Sequence, residues 1–260
     1  LSVPAAFGDN GGFTPVAPLE TVDVLIANSD IGLGSKVSSQ DLRWQTWPAA
    51  AAGLRYLALG DSYTIGEGVP EAGRWPAQLA LSLRARGHAL DEPRYVARTG
   101  WTTDELAAAM DAADFTPPYD LVSLLVGVNN QYRGRDAGEY RREFAALLAR
   151  AIELAGGRNE RVFVLSIPDW GVTPFAAGSD RDPAQVAREL DAYNALALAE
   201  CRRLDVAFVD ITPLSRGVAR AELTADGLHP CAAQYTRWAA LAEPVVAALL
   251  ATPAESGPPL

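Results

Sequence analysis

The chain has 260 residues, 49% of them hydrophobic, with 22 Lys plus Arg against 32 Asp plus Glu and a formal net charge of −10. That length and apolar content support one large domain, or a domain with an appendage, and argue against disorder of the whole. The acidic balance suits neither phosphate backbones nor anionic membrane surfaces, so no nucleic acid and no membrane is expected as a partner.

Residues 1–20 are rich in Gly, Pro and Ala without a period and read as an arm or linker. Thr21-Val22-Asp23-Val24-Leu25-Ile26-Ala27 reads as a strand. Asp30-Ile31-x-x-Gly34 follows, then Asp41-Leu42-x-Trp44-x-x-Trp47-Pro48. The glycines and lysine at 32–36 lack the spacing of a phosphate loop. These pieces resemble part of the small β-rich SAF-type module of Flp-pilus assembly proteins, over about residues 21–48. The resemblance implies a fused or accessory extension over 21–52, attached through Trp44 and Trp47 or not packed at all. A fragment this short buries little by itself.

The main domain is expected over 53–251. The apolar run 54–59 ends at Gly60-Asp61-Ser62, a strand that delivers a serine at its C-terminal turn. A helix follows, with Pro76 in its first turn, an apolar stripe through Leu79 and Leu83, and Gly87 at its end. Residues 94–98 form a short strand, and Thr99-Gly100-Trp101 turns into a helix with Thr102 and Glu105 as a capping box. Residues 120–128 read as a strand buried on both faces, ending in Gly127-Val128-Asn129-Asn130. Asp136 caps the next helix, whose stripe is Tyr140, Phe144, Leu147, Leu148 and Ile152. A strand at 161–167, a long helix after Pro183, a strand at 206–211 and a loop at 212–230 follow. The last helix, from about Cys231, is expected to kink before Pro244. Residues 252–260 form a Pro-rich tail.

Strands alternate with helices, which predicts parallel strands, right-handed crossovers and a three-layer α/β/α sandwich with five strands. The short N-terminal β-rich extension stands outside it. Ligands of such sheets bind beyond the strand C-termini. Four connections place reactive residues there: Ser62, Gly100, Asn129 and the Asp226/His229 pair. A serine hydroxyl needs a base to be nucleophilic near pH 7. Of the two histidines, His88 lies just past a helix end, which leaves His229, with Asp226 three residues earlier to orient it. The backbone N–H groups of Ser62 and Gly100 and the side-chain amide of Asn129 are the candidate oxyanion donors. Asp61 reads as a brace of the turn. Asn130, Gln131, Trp170 and Phe175 read equally as walls of a substrate pocket or as ordinary loop residues. Cys201 and Cys231 are too few for a disulfide framework, and no metal-type spacing exists. No run reaches transmembrane length, and no signal-peptide pattern opens the sequence, which favours a cytoplasmic location.

Gly60-Asp61-Ser62, Gly100, Gly127-x-Asn129 and Asp226-x-x-His229 resemble, in order and spacing, the four motif blocks of the SGNH (GDSL) hydrolases. The resemblance covers about residues 54–250. It implies a flavodoxin-like fold and hydrolysis of a small-molecule ester through a serine acyl-enzyme, with no metal or organic cofactor. By position, Ser62 is the nucleophile, His229 the base and Asp226 its orienter, and Gly100 and Asn129 complete the oxyanion hole. Tyr63 stands where the family has the leucine of Gly-Asp-Ser-Leu. The expected activity is that of a serine esterase on short-chain esters. Thioesters, lysophospholipids and carbohydrate O-acetyl esters are the alternative substrates. An α/β-hydrolase would need glycine where Thr64 stands. A binding or pilus-associated scaffold module is the non-enzyme alternative.

Overall fold

The computed structural model describes residues 21–28, 37–48 and 53–251. The arm at 1–20, residues 29–36, the joint at 49–52 and the tail at 252–260 lie outside the described residues. Two compact units divide between Ala52 and Gly53.

In the first unit, β1 (Thr21–Ala27) and β2 (Leu42–Pro48) pair antiparallel, with Leu25 opposite Trp44. The approach to β2 is fixed by polar contacts. Ser38 donates from its backbone N and its Oγ to the Asp41 carboxylate at 2.8 and 2.7 Å. Asn28 N donates to the Asp41 carbonyl at 2.8 Å. Trp44 and Trp47 are exposed.

The second unit holds β3 (Tyr56–Gly60), β4 (Arg94–Ala97), β5 (Leu121–Leu125), β6 (Val162–Leu165) and β7 (Ala207–Val209). Its helices are α1 (Ser62–Ile65), α2 (Trp75–Ala85), α3 (Thr103–Ala112), α4 (Val128–Tyr132) and α5 (Ala137–Leu154). They continue as α6 (Pro174–Ala177), α7 (Pro183–Arg203), α8 (Thr212–Arg216) and α9 (Ala232–Ala251).

The five strands are parallel, in the order β4-β3-β5-β6-β7. The chain therefore winds one way from β3 to β4 and the other way from β5 onward. Right-handed crossovers then place α2 on one face and α3, α5 and α7 on the other. The observed packing agrees, with α2 against α9 and α5 against both α3 and α7. The reversal point lies between β3 and β5, where open sheets of this winding bind ligands.

Sequence explains why these segments take these roles. Every residue of β3, β5 and β6 is buried, as expected of strands covered on both faces. Each buried Leu or Val there contributes roughly 1.5–3 kcal/mol. The one polar residue of β5, Ser123, accepts a hydrogen bond from Tyr56 Oη at 3.0 Å, so it costs little. Thr102 caps α3 as its spacing predicts, its N–H donating to Glu105 Oε2 at 2.9 Å. Asp136 caps α5 by accepting from Glu139 N at 2.9 Å. The α5 stripe then meets α7, with Tyr140 stacked on Tyr193 at 4.4 Å. Cys201 is buried on that side of α7, and burial pushes its thiol up to about 12.

One expectation changes, that for 212–230, and the last helix adds a detail. The last helix continues past Pro244 to Ala251 as one element, so the proline lies inside it and does not end it. Its buried face of Tyr235, Trp238, Ala242 and Val246 outweighs the one backbone bond that proline removes. The stretch 212–230 is more than loop, since it contains α8 and a 3-10 turn at Arg220–Glu222. Among the described residues, no helix is long and apolar enough to cross a membrane.

Candidate active site

Four connections at the C-terminal edge of the sheet build the site, two of them from the strands that flank the reversal point. The first leaves β3. Gly60 ends that strand because a Cβ there would run into the Leu125 carbonyl oxygen of β5 and into Thr64 Oγ1. Asp61 then caps the short turn α1, accepting from Tyr63 N at 3.0 Å. Gly66 closes the turn at φ 69°. Ser62 is thereby the first residue of α1, with 4% of its surface exposed.

Asp61 itself is buried, 1% exposed. Burial pushes its carboxyl up to about 7, against the pull of the Tyr63 and Gly127 backbone N–H groups. A carboxyl raised on folding holds its proton more tightly in the folded state. Its contribution to stability is therefore full below the unfolded value of 3.8 and is lost as pH rises through about 7. Asp61→Asn is expected to remove this slope. Thermal melts should coincide with wild type near pH 4 and exceed it at pH 8, by roughly 1–4 kcal/mol. A variant less stable than wild type at pH 8 contradicts the reading.

The second connection leaves β4. Gly100 sits at φ +88°, and a Cβ there would meet nothing closer than Arg133 Nη2 at 3.9 Å. Within the protein, glycine is needed here for the backbone angle rather than for space. Arg133 fixes the turn by donating to the Gly100 carbonyl at 2.7 Å.

The third connection leaves β5. Gly127 has φ +130°, and a Cβ would lie 2.6 Å from Tyr140 Cε2 and 2.8 Å from Ile167 Cδ1. Asn129 follows in the first turn of α4. One of its amide hydrogens goes to the Trp101 carbonyl at 2.9 Å, which leaves the second for a ligand.

The fourth connection follows β7. Thr224 N donates to the His229 carbonyl at 2.8 Å, and Leu223 bridges Pro230, closing the loop on itself. Inside it, Asp226 Oδ1 accepts from Thr224 Oγ1 at 2.7 Å, Leu228 N at 2.8 Å and His229 N at 3.0 Å. Its other oxygen lies 2.7 Å from His229 Nδ1. Partial burial raises the Asp226 carboxyl, but the hydrogen bonds from His229, Thr224 and the Leu228 and His229 backbone hold it well below the usual carboxylate range. An ionised carboxylate only accepts, so Nδ1 carries the hydrogen and Nε2 of the neutral ring keeps its lone pair.

Ser62, Gly100, Asn129 and His229 all face one cavity of about 160 Å³. Its apolar walls are Val128, Tyr132, Trp170, Phe175 and Leu228, with Tyr63 beside the serine. Of the four residues read as pocket candidates, Trp170 and Phe175 line it. Asn130 and Gln131 do not. Asn130 Nδ2 donates to Thr103 Oγ1 at 2.6 Å and its Oδ1 accepts from Thr103 N at 3.1 Å, pinning α4 to α3. Gln131 Oε1 accepts from Trp170 Nε1 at 2.8 Å, and its Nε2 donates to Glu189 at 2.6 Å, so it braces the wall from behind. Gln131 lines a separate polar groove of about 700 Å³. Val128 was missed because it prolongs the apolar run of β5, and Tyr132 because three polar residues separate it from that run. Their spacing around Asn129 is the signal that a helical turn begins there. Half-buried His88 lies past the end of α2, at the opposite edge of the sheet. Among the described residues, no three His, Cys, Asp or Glu side chains gather to hold a metal ion.

A carboxylate–imidazole pair, a hydroxyl and convergent neutral donors around a small apolar cavity can carry acyl transfer. Residues 58–237 match the GDSL-like Lipase/Acylhydrolase family. Among solved structures the chain is similar to TesA, with a TM-score of 0.61, 21% identity, and coverage of 75% of this chain and 99% of that one. It is also similar to Axe2, an acetylxylan esterase from Geobacillus stearothermophilus (TM-score 0.57, 19% identity, 77% and 95% covered). A third is LAE5, an α/β hydrolase enzyme from the metagenome of Lake Arreo, Spain (TM-score 0.55, 20% identity, 78% and 98% covered). At these identities the likeness is one of fold. No curated protein matches the chain.

Proposed function

The chain belongs to the GDSL-like lipase/acylhydrolase family, and on that premise we propose that it is a serine esterase of short-chain carboxylic esters working through an acyl-enzyme. The observation that carries this reading is the convergence of Ser62, Asn129, Gly100 and the Asp226-tethered His229 on one cavity. Ser62 Oγ attacks the ester carbonyl while His229 Nε2 takes its proton. The oxyanion accepts from Ser62 N, Gly100 N and Asn129 Nδ2. His229 returns the proton to the leaving alcohol, then draws one from the water that cleaves the acyl-enzyme and releases the acid.

The size of the cavity supports short acyl chains. About 160 Å³ is roughly five waters' share of liquid volume, a size that matches an acetyl to butyryl group. The test is hydrolysis of p-nitrophenyl esters from acetate to palmitate under single-turnover and steady-state conditions. The expected result is a maximum of kcat/KM at the short end, with a burst of nitrophenol on an ester whose deacylation is slow. A maximum at palmitate contradicts the short-chain assignment. The same cavity favours O-acetylated sugars as a second substrate class, read by acetate release from acetylated xylan.

Asp226→Asn is expected to lower kcat by about 10³–10⁴-fold with KM little changed, because an amide at that position no longer fixes the imidazole tautomer. Since Asp226 stays ionised well below neutral pH, the acid limb of the wild-type rate profile should not belong to it. Retention of wild-type kcat in this variant rejects the assigned role of the pair.

A further inference from the structure

The carboxylate of Asp226 holds the imidazole ring of His229 at one atom, Nδ1. Held by its bond to Cβ and by that hydrogen bond, the imidazole can still tilt, and a wall beside the ring narrows the angle at which Nε2 is presented. Tyr63 stands there. Its ring centroid lies 5.3 Å from that of His229, inclined at 53°. Behind it, Trp238 packs on Tyr63 at 6.1 Å, and Tyr235 meets Trp238 edge-on at 5.1 Å. Tyr63, Trp238 and Tyr235 are all buried, which makes this column stiff. Tyr63 is also tied to the serine turn, since it follows Ser62 directly and its N–H is held by Asp61 at 3.0 Å. One residue thus belongs to the turn that presents the serine and packs against the imidazole.

We propose that Tyr63 is a positioning residue, its ring setting the approach of His229 Nε2 to Ser62 Oγ. The proposal rests on the acyl-enzyme reading above, in which His229 is the base. It concerns a residue at which this chain departs from the Gly-Asp-Ser-Leu pattern. The role is assigned to the ring because it is the ring that packs against the imidazole.

A double-mutant cycle tests it, with Tyr63→Leu, His229→Ala and the pair, each assayed on p-nitrophenyl acetate with folding checked by circular dichroism. Tyr63→Leu is expected to lower kcat about 10- to 100-fold, the effect of a displaced catalytic group, and to leave KM nearly unchanged. Tyr63→Phe, which keeps the ring, should recover kcat to within about threefold. In the His229→Ala background, Tyr63→Leu should add less than about twofold, because a residue that acts only through the base has nothing left to position. Where the leucine variant loses its fold, Tyr63→Met, unbranched and better able to fill an irregular gap, takes its place in the cycle. Losses that multiply in the double variant, or a change in KM alone, overturn the proposal while leaving the esterase reading intact. An unchanged kcat in His229→Ala overturns both.

Discussion

Ser62→Ala is expected to lower kcat toward p-nitrophenyl acetate by about 10⁵-fold, with the melting temperature nearly unchanged. The size follows from the order of events. Without Oγ no acyl-enzyme forms, His229 has no serine proton to take, and what remains is water attack assisted by the oxyanion donors. Losing the hydroxyl should matter little to the fold. The carbonyl of Ser62, which survives the substitution, accepts from Gly66 N and Glu67 N, both at 3.0 Å. A fluorophosphonate probe should label wild type stoichiometrically and leave the variant unlabelled. Wild-type turnover in the variant rejects the acyl-enzyme mechanism at once.

Gly60→Ala is expected to have the largest effect on stability, about 3–5 kcal/mol by urea titration, or failure to fold. The added methyl points at the Leu125 carbonyl oxygen, and Leu125 is the direct partner of Gly60 across the β3–β5 ladder. Relief would require parting two central strands, because the obstacle is backbone. Thr64 Oγ1, on the other side, belongs to the turn that carries Ser62. Gly100→Ala makes a useful contrast. With its nearest neighbour at 3.9 Å, it bears only the conformational cost of φ +88°, about 1–2 kcal/mol. Stability of Gly60→Ala within about 1 kcal/mol of wild type would show that the strands yield more readily than packed interiors do.

Much of this was legible in the sequence because each signal was local. Continuous apolar runs marked β3, β5 and β6, the Thr102–Glu105 box marked α3, and Asp136 marked the start of α5. The family's motif order did the same for the residues gathered at the cavity. What escaped was decided by tertiary context. Val126 and Val128 prolong the β5 run, yet the strand ends at Leu125 and α4 begins at Val128, so their burial reflects the turn and not the ladder. Asn130 and Gln131 follow Asn129 in sequence, but each step along a helical turn rotates the side chain by about 100°. One therefore faces α3 and the other Trp170, with only Asn129 toward the cavity. Pro244 is accommodated inside α9 because the buried face of that helix is worth more than one backbone bond.

The strand order has a consequence for how the domain could be divided. β4, β3 and β5 come from the N-terminal part of the chain and form one side of the sheet, and β6 and β7 come from the C-terminal part and form the other. A cut between α5 and β6 therefore parts the sheet at one strand edge and the helices at the α2–α9 and α5–α7 contacts, with Ser62, Gly100 and Asn129 on one fragment and Asp226 and His229 on the other. Neither piece alone carries both a nucleophile and a base. Brought together by fused partners that associate, the two halves would meet along the β5–β6 edge and regain turnover, which makes this fold a natural split reporter read by ester hydrolysis.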